Sequence, residues 1–532
     1  MVGLELPETN GVHATYTISV NSRGQIETIE NPLGVMTKVT YDSSSAFPTS
    51  YIADSSGLQY TISTEYDDVG NLTQVTDPRG NSIKYEYDKN RQLIREQAPA
   101  PLLSETTYSY DSNRRLSSYA RKTGIPSNPW LVTQLNYDLP NAQMSIIDPQ
   151  GRALTFLDNK IRRLWKVIDN AGHITEALYD ERGKAYRLIN PLGAIIEEHH
   201  FSANGKRMSL TDAKTNVTTY QYDDFDRISK MIFPDNSFVG YSYDTRNRLT
   251  GLQTRSGEQI SYQYNSLDHL VLKTLPDSST ISFESDLLGR LTKVTSSVSG
   301  TILFEYDNLN RLISVTHPGS KTFSYDYDSA GNLAKIVYPD GYYVTYTYDE
   351  LNRVTAIFES GTNLLARYTY DALSKLTDVT YGNGVSEHYT YNASRDLLTI
   401  EYHFNNNEDV NFTYAYDAVG NLTSFTTNNS SFLYSPPSDS DADFTVNNLN
   451  QYVSVNGTAF SYDANGNLTS DGVNTYAYDA TNQLISASNS SCTVTFQYNA
   501  LGQRIKKEVP SYPHLQKQGT LIMLSNAKDL EF

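Results

Sequence analysis

One cysteine, Cys492, stands in a chain of 532 residues, so an intrachain disulfide is excluded. Its expected state is that of a half-buried strand thiol, the usual place of a free cysteine. Tryptophan (2) and methionine (6) are scarce, and the nine histidines are scattered. No G-x-S-x-G, Walker-type or G-x-G-x-x-G stretch occurs, which removes the common nucleophile elbow and the phosphate-cradling loops. There is no long uncharged apolar run to span a membrane as a helix. The opening MVGLELPETNGVHATYTISV has no basic segment followed by an apolar core, so no signal peptide is read there. Positive charge is also in deficit: 42 Lys and Arg against 60 Asp and Glu leave −18, spread along the chain. That field repels phosphate backbones and anionic headgroups, which disfavours nucleic acid and membrane surfaces as partners.

What is abundant is tyrosine, 42 residues against 18 phenylalanines. A ring with a hydroxyl suits a sheet surface that is partly wet. The tyrosines are periodic. A Tyr-Asp pair, Tyr-Asn at Tyr264, returns at one constant interval at Tyr222, Tyr243, Tyr264, Tyr306, Tyr327 and Tyr348, with Ser285 in the remaining slot, and the same register reaches back to Tyr66 and Tyr87. A fixed period of this size marks a repeat architecture in which each unit buries its apolar surface against its neighbours.

Each copy carries two turn signals. The first follows the Tyr-Asp pair, as in Asp67-Asp68-Val69-Gly70-Asn71, where Asp bonds its own downstream backbone and Gly70 accepts a left-handed conformation. The second begins midway to the next tyrosine: Asp77-Pro78-Arg79-Gly80, Asp148-Pro149-Gln150-Gly151, Asn190-Pro191-Leu192-Gly193 and Tyr338-Pro339-Asp340-Gly341. Proline second and glycine fourth fit a type I turn. Two turns leave two strands of about seven residues, so a copy is a β-hairpin and the array an antiparallel ribbon.

The segment before each Tyr-Asp alternates, with Ile83, Tyr85 and Tyr87 on one face and Lys84 and Glu86 on the other. In GRLTKVT, Leu291 and Val294 are three apart, which calls for either a bulge or apolar contacts on both faces. Roughly twenty hairpins at about 4.8 Å per strand make a strip of roughly 190 Å, which would curl once into a ring near 60 Å wide. Side chains cannot fill such a ring. The expected fold is therefore an all-β ribbon curling into a hollow, incomplete shell. A parallel β-solenoid is the alternative, disfavoured by two hairpin turns per period. Three regions are read: an irregular lead-in over 1–13, the repeat shell over 14–509 and a non-repeat tail over 510–532. The Pro-rich stretches Gln97 to Leu103 and Thr123 to Trp130 read as loops on one edge of the stack.

The repeat YDxxGNLTxxxDPxGNxxxYxYD, written by Tyr66 to Asp88, resembles the YD-repeats of bacterial rearrangement-hotspot (Rhs) proteins, of the C subunits of insecticidal toxin complexes and of teneurins. The resemblance covers about residues 14 to 509. It implies a shell that encloses a polypeptide, commonly a toxin, with a plug domain as partner, in a protein secreted or placed at the cell surface by a specialised system. The family's C-terminal core signature, with its plug and cleaving aspartates, finds no match here, so the chain reads as a piece of such a protein. The implied role is structural, without catalysis or cofactor; the alternative is a teneurin-like module that binds a surface glycan or protein.

Other chemistry is thin. In Glu197-Glu198-His199-His200 only alternate residues share a strand face, which leaves too few ligands for zinc. Asp439, Asp441 and Asp443 resemble half of a calcium loop, but Phe444 and Asn450 stand where glycine and glutamate belong, so a solvated acidic loop is the better reading. Sequons such as Asn71-Leu72-Thr73 sit in the turn exit and are turn chemistry first.

Overall fold

The computed structural model describes residues 2–5, 14–43, 46–102, 104–127, 129–159, 163–406, 408–433 and 442–509. Among the described residues it is built almost wholly of strands, with a single 3-10 turn at Ser430–Phe432. A 39-stranded sheet runs from Val2–Glu5 to Leu422–Thr427, and a three-stranded and a six-stranded sheet follow. Within each sheet every strand pairs antiparallel with the next in the chain, as Ser82–Tyr87 does with Leu72–Thr76 before it and Leu93–Gln97 after it. The ladders are antiparallel throughout, which removes the parallel solenoid. Val2–Glu5, placed by the sequence in an irregular lead-in, pairs antiparallel with Thr15–Val20. The 510–532 tail lies outside the described residues.

Strands of five and six residues dominate rather than seven, because the turns take more of the period. A β-bulge recurs just after the Tyr-Asp turn. Tyr306 pairs with Leu312 but Glu305 pairs with Ser314, and Ser285 pairs with Leu291 but Glu284 with Lys293. The extra residue returns Leu291 and Val294 to one face, the face of Phe283. Of the two readings of GRLTKVT, the bulge is the one realised.

Both turns of a copy share one geometry. At Asp77 the N–H of Gly80 donates to Asp77 O at 3.0 Å and the N–H of Asp77 to Asn81 O at 2.9 Å. Gly80 sits at φ +88, the left-handed region where a side chain would be strained. In the Tyr-Asp turn Asn247, Asn310 and Asn352 take the place Gly70 holds, at φ +61 to +67, an allowance asparagine has through its short polar side chain.

The accessible surface is 32055 Å² for 59.7 kDa, where a compact monomer of that mass would expose about 19,000 Å². A single sheet accessible on both faces contributes to the excess. The two faces differ: most buried apolar side chains, including Ile260, Val294, Ile302, Val315, Phe323, Val344 and Val379, share the face of the repeat tyrosines. Side chains converge on the concave side of a curled sheet and diverge on the convex side, so the aromatic face is the inner wall.

Candidate functional site

The repeat residues form a staple from copy to copy. Asp244 shows how it is built. Its Oδ1 accepts from the N–H groups of Arg246 (2.9 Å) and Arg248 (3.0 Å), and its Oδ2 accepts from Arg248 Nε at 2.6 Å. These bonds, the backbone one from Arg248 first, hold its carboxyl below the usual carboxylate range. The same arginine reaches forward, donating to Asn265 O of the next copy at 3.0 Å and stacking over the Tyr264 ring at 5.0 Å. Arg227 over Tyr243, Arg290 over Tyr306, Arg311 over Tyr327 and Arg353 over Tyr370 repeat the contact at 4.5 to 4.8 Å. Where the residue is Asn332, its amide donates to Asn352 Oδ1 instead.

The tyrosine reaches backward. The hydroxyls of Tyr222, Tyr243, Tyr264, Tyr306, Tyr327 and Tyr348 donate to the carbonyls of Arg207, Ile228, Leu249, Leu291, Leu312 and Leu333 at 2.7 to 2.9 Å. Each acceptor is the bulged residue of the preceding copy, the place where the ladder is interrupted. The bulge and the tyrosine therefore belong to one device. Burial drives the Tyr348 phenol up to about 12. Tyr66 instead stacks on Phe47, with centroids 4.9 Å apart, and Tyr87 is pushed up by burial first. Gly70, Gly80, Gly151, Gly193 and Gly341 all hold positive φ, with Pro78, Pro149, Pro191 and Pro339 two places before the last four.

The two rows of turns are the two edges of the strip, and they meet. Arg79 Nη2 donates to Asp349 O at 2.6 Å and to Asn352 Oδ1 at 2.5 Å. Arg152 bridges Asp148 (2.6 Å) and Asp396 (2.9 Å), and Ser394 Oγ donates to Asp148 Oδ2. Asn170 reaches Ala418 O, Asn450 reaches Asp212, and the N–H of Ser256 donates to Asn465 Oδ1. Second-type turns of one winding thus dock on Tyr-Asp turns of the next. Near its start the seam joins residues 270 apart, and near its end residues 209 apart. At about two strands per copy that is roughly 25 strands narrowing to roughly 20, or a sheet diameter tapering from ~38 to ~30 Å. The ribbon accordingly winds about twice rather than once, because turn side chains hold one winding to the next and keep it narrow.

Burial at the seam raises the Asp148 carboxyl, yet the bonds from Ser394 and Arg152 outweigh it and hold the group low; Asp212 is treated alike by Asn450 and Asn216. The buried Asp54 accepts from the N–H of Leu58 at 2.7 Å and from Asn308 Nδ2, another seam contact. The Pro-rich loops at Pro101 and Gly124 line one cleft of about 330 Å³ together with Leu351, Arg353 and Ala372 of the next winding. They share an edge, as their composition indicated. None of the seam residues was legible as such. Arg79 and Arg152 fall at turn positions that vary from copy to copy.

The remaining candidates are placed as follows. Glu198 pairs with Arg187, and His199 lies 3.3 Å from Glu197 on the other face; no three metal-ligating side chains converge among the described residues. Asp439 and Asp441 lie outside the described residues, and the N–H of Asp443 donates to Asn456 Oδ1. Cys492 is half-buried, but in the turn before Thr493–Tyr498 rather than in a strand, since its N–H caps to Asn489. The sequon amides of Asn71, Asn421 and Asn467 each donate to the aspartate of their own turn at 2.7 to 3.0 Å.

A spirally wound wall of hairpins, stapled along its length and zipped along its edges, defines a shell-type repeat protein. Residues 235–379 and 368–516 match the model described as teneurin YD-shell, and residues 66–100 and 201–237 match the RHS repeat. The first match covers more than half of the chain, and the chain belongs to the YD-shell family. It is 26% identical over 168 residues to the probable deoxyribonuclease RhsB of Dickeya dadantii (strain 3937), a stretch that is 31% of this chain and 11% of that protein. Among solved structures, that of TcdB2-TccC3-Cdc42 matches with TM-score 0.55 and 15% identity over 94% of this chain and 31% of that chain. The Photorhabdus luminescens Tc holotoxin pore with a mutant TccC3 matches with TM-score 0.55 and 15% identity over 93% and 30%. At that identity the likeness is one of fold. The chain spans about a tenth of the curated relative and about three tenths of the solved chains.

Proposed function

We propose that this chain is the wall of a protein shell that encloses a polypeptide, a toxin being the class its relatives point to, and performs no chemistry itself. The observation that carries the reading is the single-layer sheet wound twice, with an aromatic face turned inward. The described side chains are spent on turns, staples and seam. The deoxyribonuclease name belongs to a relative that matches this chain over 11% of its length. A plug domain, delivery outside the producing cell and an enclosed cargo belong to this same proposal.

Electron microscopy of the chain co-expressed with the polypeptide encoded beside it tests the reading. Density inside the winding and protection of that polypeptide from protease are the expected results. A filled rod, or a wall beside freely digested polypeptide, would overturn it.

A further inference from the structure

The inner face carries few charges, among them Glu96 opposite Tyr85, Lys273 opposite Tyr262 and Glu359 opposite Val344. Four residues before the repeat tyrosine, successive copies carry Ile302, Phe323, Val344 and Ala366, all buried. The next copy carries Glu387. Tyr381 Oη donates to its Oε1 at 2.8 Å, and Tyr389 Oη donates to its Oε2. Tyr402 stands directly across the ladder, and Tyr368 lies within electrostatic reach. The Tyr381 phenol is pushed up to about 12, first by its bond to Glu387; that of Tyr389 is raised first by burial and then by the same carboxylate. Both rings stay neutral donors to the Glu387 carboxyl. No cationic side chain pairs with it among the described residues.

Two hydroxyls occupy about half of a carboxylate's roughly four acceptor sites. Across the ladder Glu387 is flanked by Tyr402 on one side and Val379 on the other, and a cation is drawn to such a site both by the charge and by the ring quadrupoles. An anion left unpaired in an apolar wall is costly, whereas the same anion with a fitting cation is not.

We propose that Glu387, boxed by Tyr368, Tyr381, Tyr389 and Tyr402, is a binding site for one ammonium or guanidinium group, presented by a lysine or arginine side chain of the enclosed polypeptide. The identity of that donor rests on the enclosing role above; the site itself is testable without any cargo. The full chain is titrated with N-acetyl-lysine methylamide, and with the norleucine analogue that lacks the ammonium, by calorimetry. Saturable binding of the lysine probe is expected on the order of millimolar, weakened about tenfold by Glu387→Gln, with no binding of the norleucine probe. Tyr389→Phe weakens binding about threefold. Glu387→Val abolishes it while raising the thermal midpoint, since it restores the apolar residue of the other copies.

Equal affinity of wild type and a folded Glu387→Gln, equal binding of both probes, or no saturable binding by wild type would each overturn the site. Protease protection of the co-expressed polypeptide reports separately on the enclosing role. A cation site without protection sinks only the cargo assignment, and protection without a cation site sinks only the site.

Discussion

The central copies and the last ones are written with the same Tyr-Asp signature and come out differently. From Ile260 to Val410 the strands are five to eight residues long and bury apolar side chains, Val294 and Ile302 to 0% exposure. From Phe444 to Glu508 several strands shrink to two to four residues, Phe444 is 54% exposed, and no described apolar side chain is buried. Tyr478 follows Tyr462 at a shorter interval than the central tyrosines keep, and no bond from its hydroxyl to a bulge carbonyl forms among the described residues. Tyr498, which follows Tyr478 at nearly the central interval, reaches Leu484 O at 2.8 Å. A motif thus specifies a turn, but where the interval shortens, as before Tyr478, the tyrosine does not reach the preceding copy, whereas after a lengthened interval Tyr137 still reaches Leu116 O at 3.0 Å.

The largest test of that contrast is in the buried face. Ile302→Ala removes a fully covered side chain and is expected to cost about 3 kcal/mol, read as lost amide-exchange protection over Leu291–Ser296 and Gly300–Tyr306. Val446→Ala in the terminal sheet is expected to cost under ~0.5 kcal/mol. Equal losses would show that the two regions are packed alike.

Next comes the seam. Arg152→Met leaves Asp148 and Asp396 without their shared cation, all three groups being mostly covered, and should weaken the contact by about 2 kcal/mol. Faster exchange is expected at the Asn392 to Asp396 turn with little change in the terminal copies. Tyr348→Phe removes one hydroxyl from the Leu333 carbonyl and should cost about 1 kcal/mol, while Tyr478→Phe should be close to neutral by thermal unfolding.

The smallest effect is the pH response of the seam. The folded pKa of Asp148 is depressed, so its contribution is present above the unfolded value of about 3.9 and is lost as pH falls through the folded value. Exchange at the Asn392 to Asp396 turn should be flat, after correction for intrinsic rates, from pH 8 to about 5 and should rise only below about 4. A rise already near pH 6 would contradict the assignment to this carboxylate.

Much of this wall could be read from residue order alone. Asp followed by Gly or Asn three places later locates each turn and alternation locates the tyrosine face, while the three-residue offset of Leu291 and Val294 allowed a bulge or apolar contacts on both faces, and the strand register decided for the bulge. Arg248 and its counterparts were missed, since an arginine inside a turn reads as a solvated charge until the next tyrosine ring is seen beneath it. The number of windings was also missed. Strip length limits a circumference but does not set it, and the contacts that set it join Arg79 to Asn352 and Arg152 to Asp396, partners far apart in the chain with no local trace.

By itself the amino-acid order determined the hairpin, its two turns, its aromatic face and the family, because turn chemistry and two-residue alternation act over a few neighbouring residues. Tertiary structure alone decided that the bulge carbonyl receives the next tyrosine, that the strip winds twice with a narrowing bore, and that Glu387 comes to lie among four tyrosines. Those outcomes depend on curvature and on contacts between distant windings, which are properties of the closed geometry and not of any one copy.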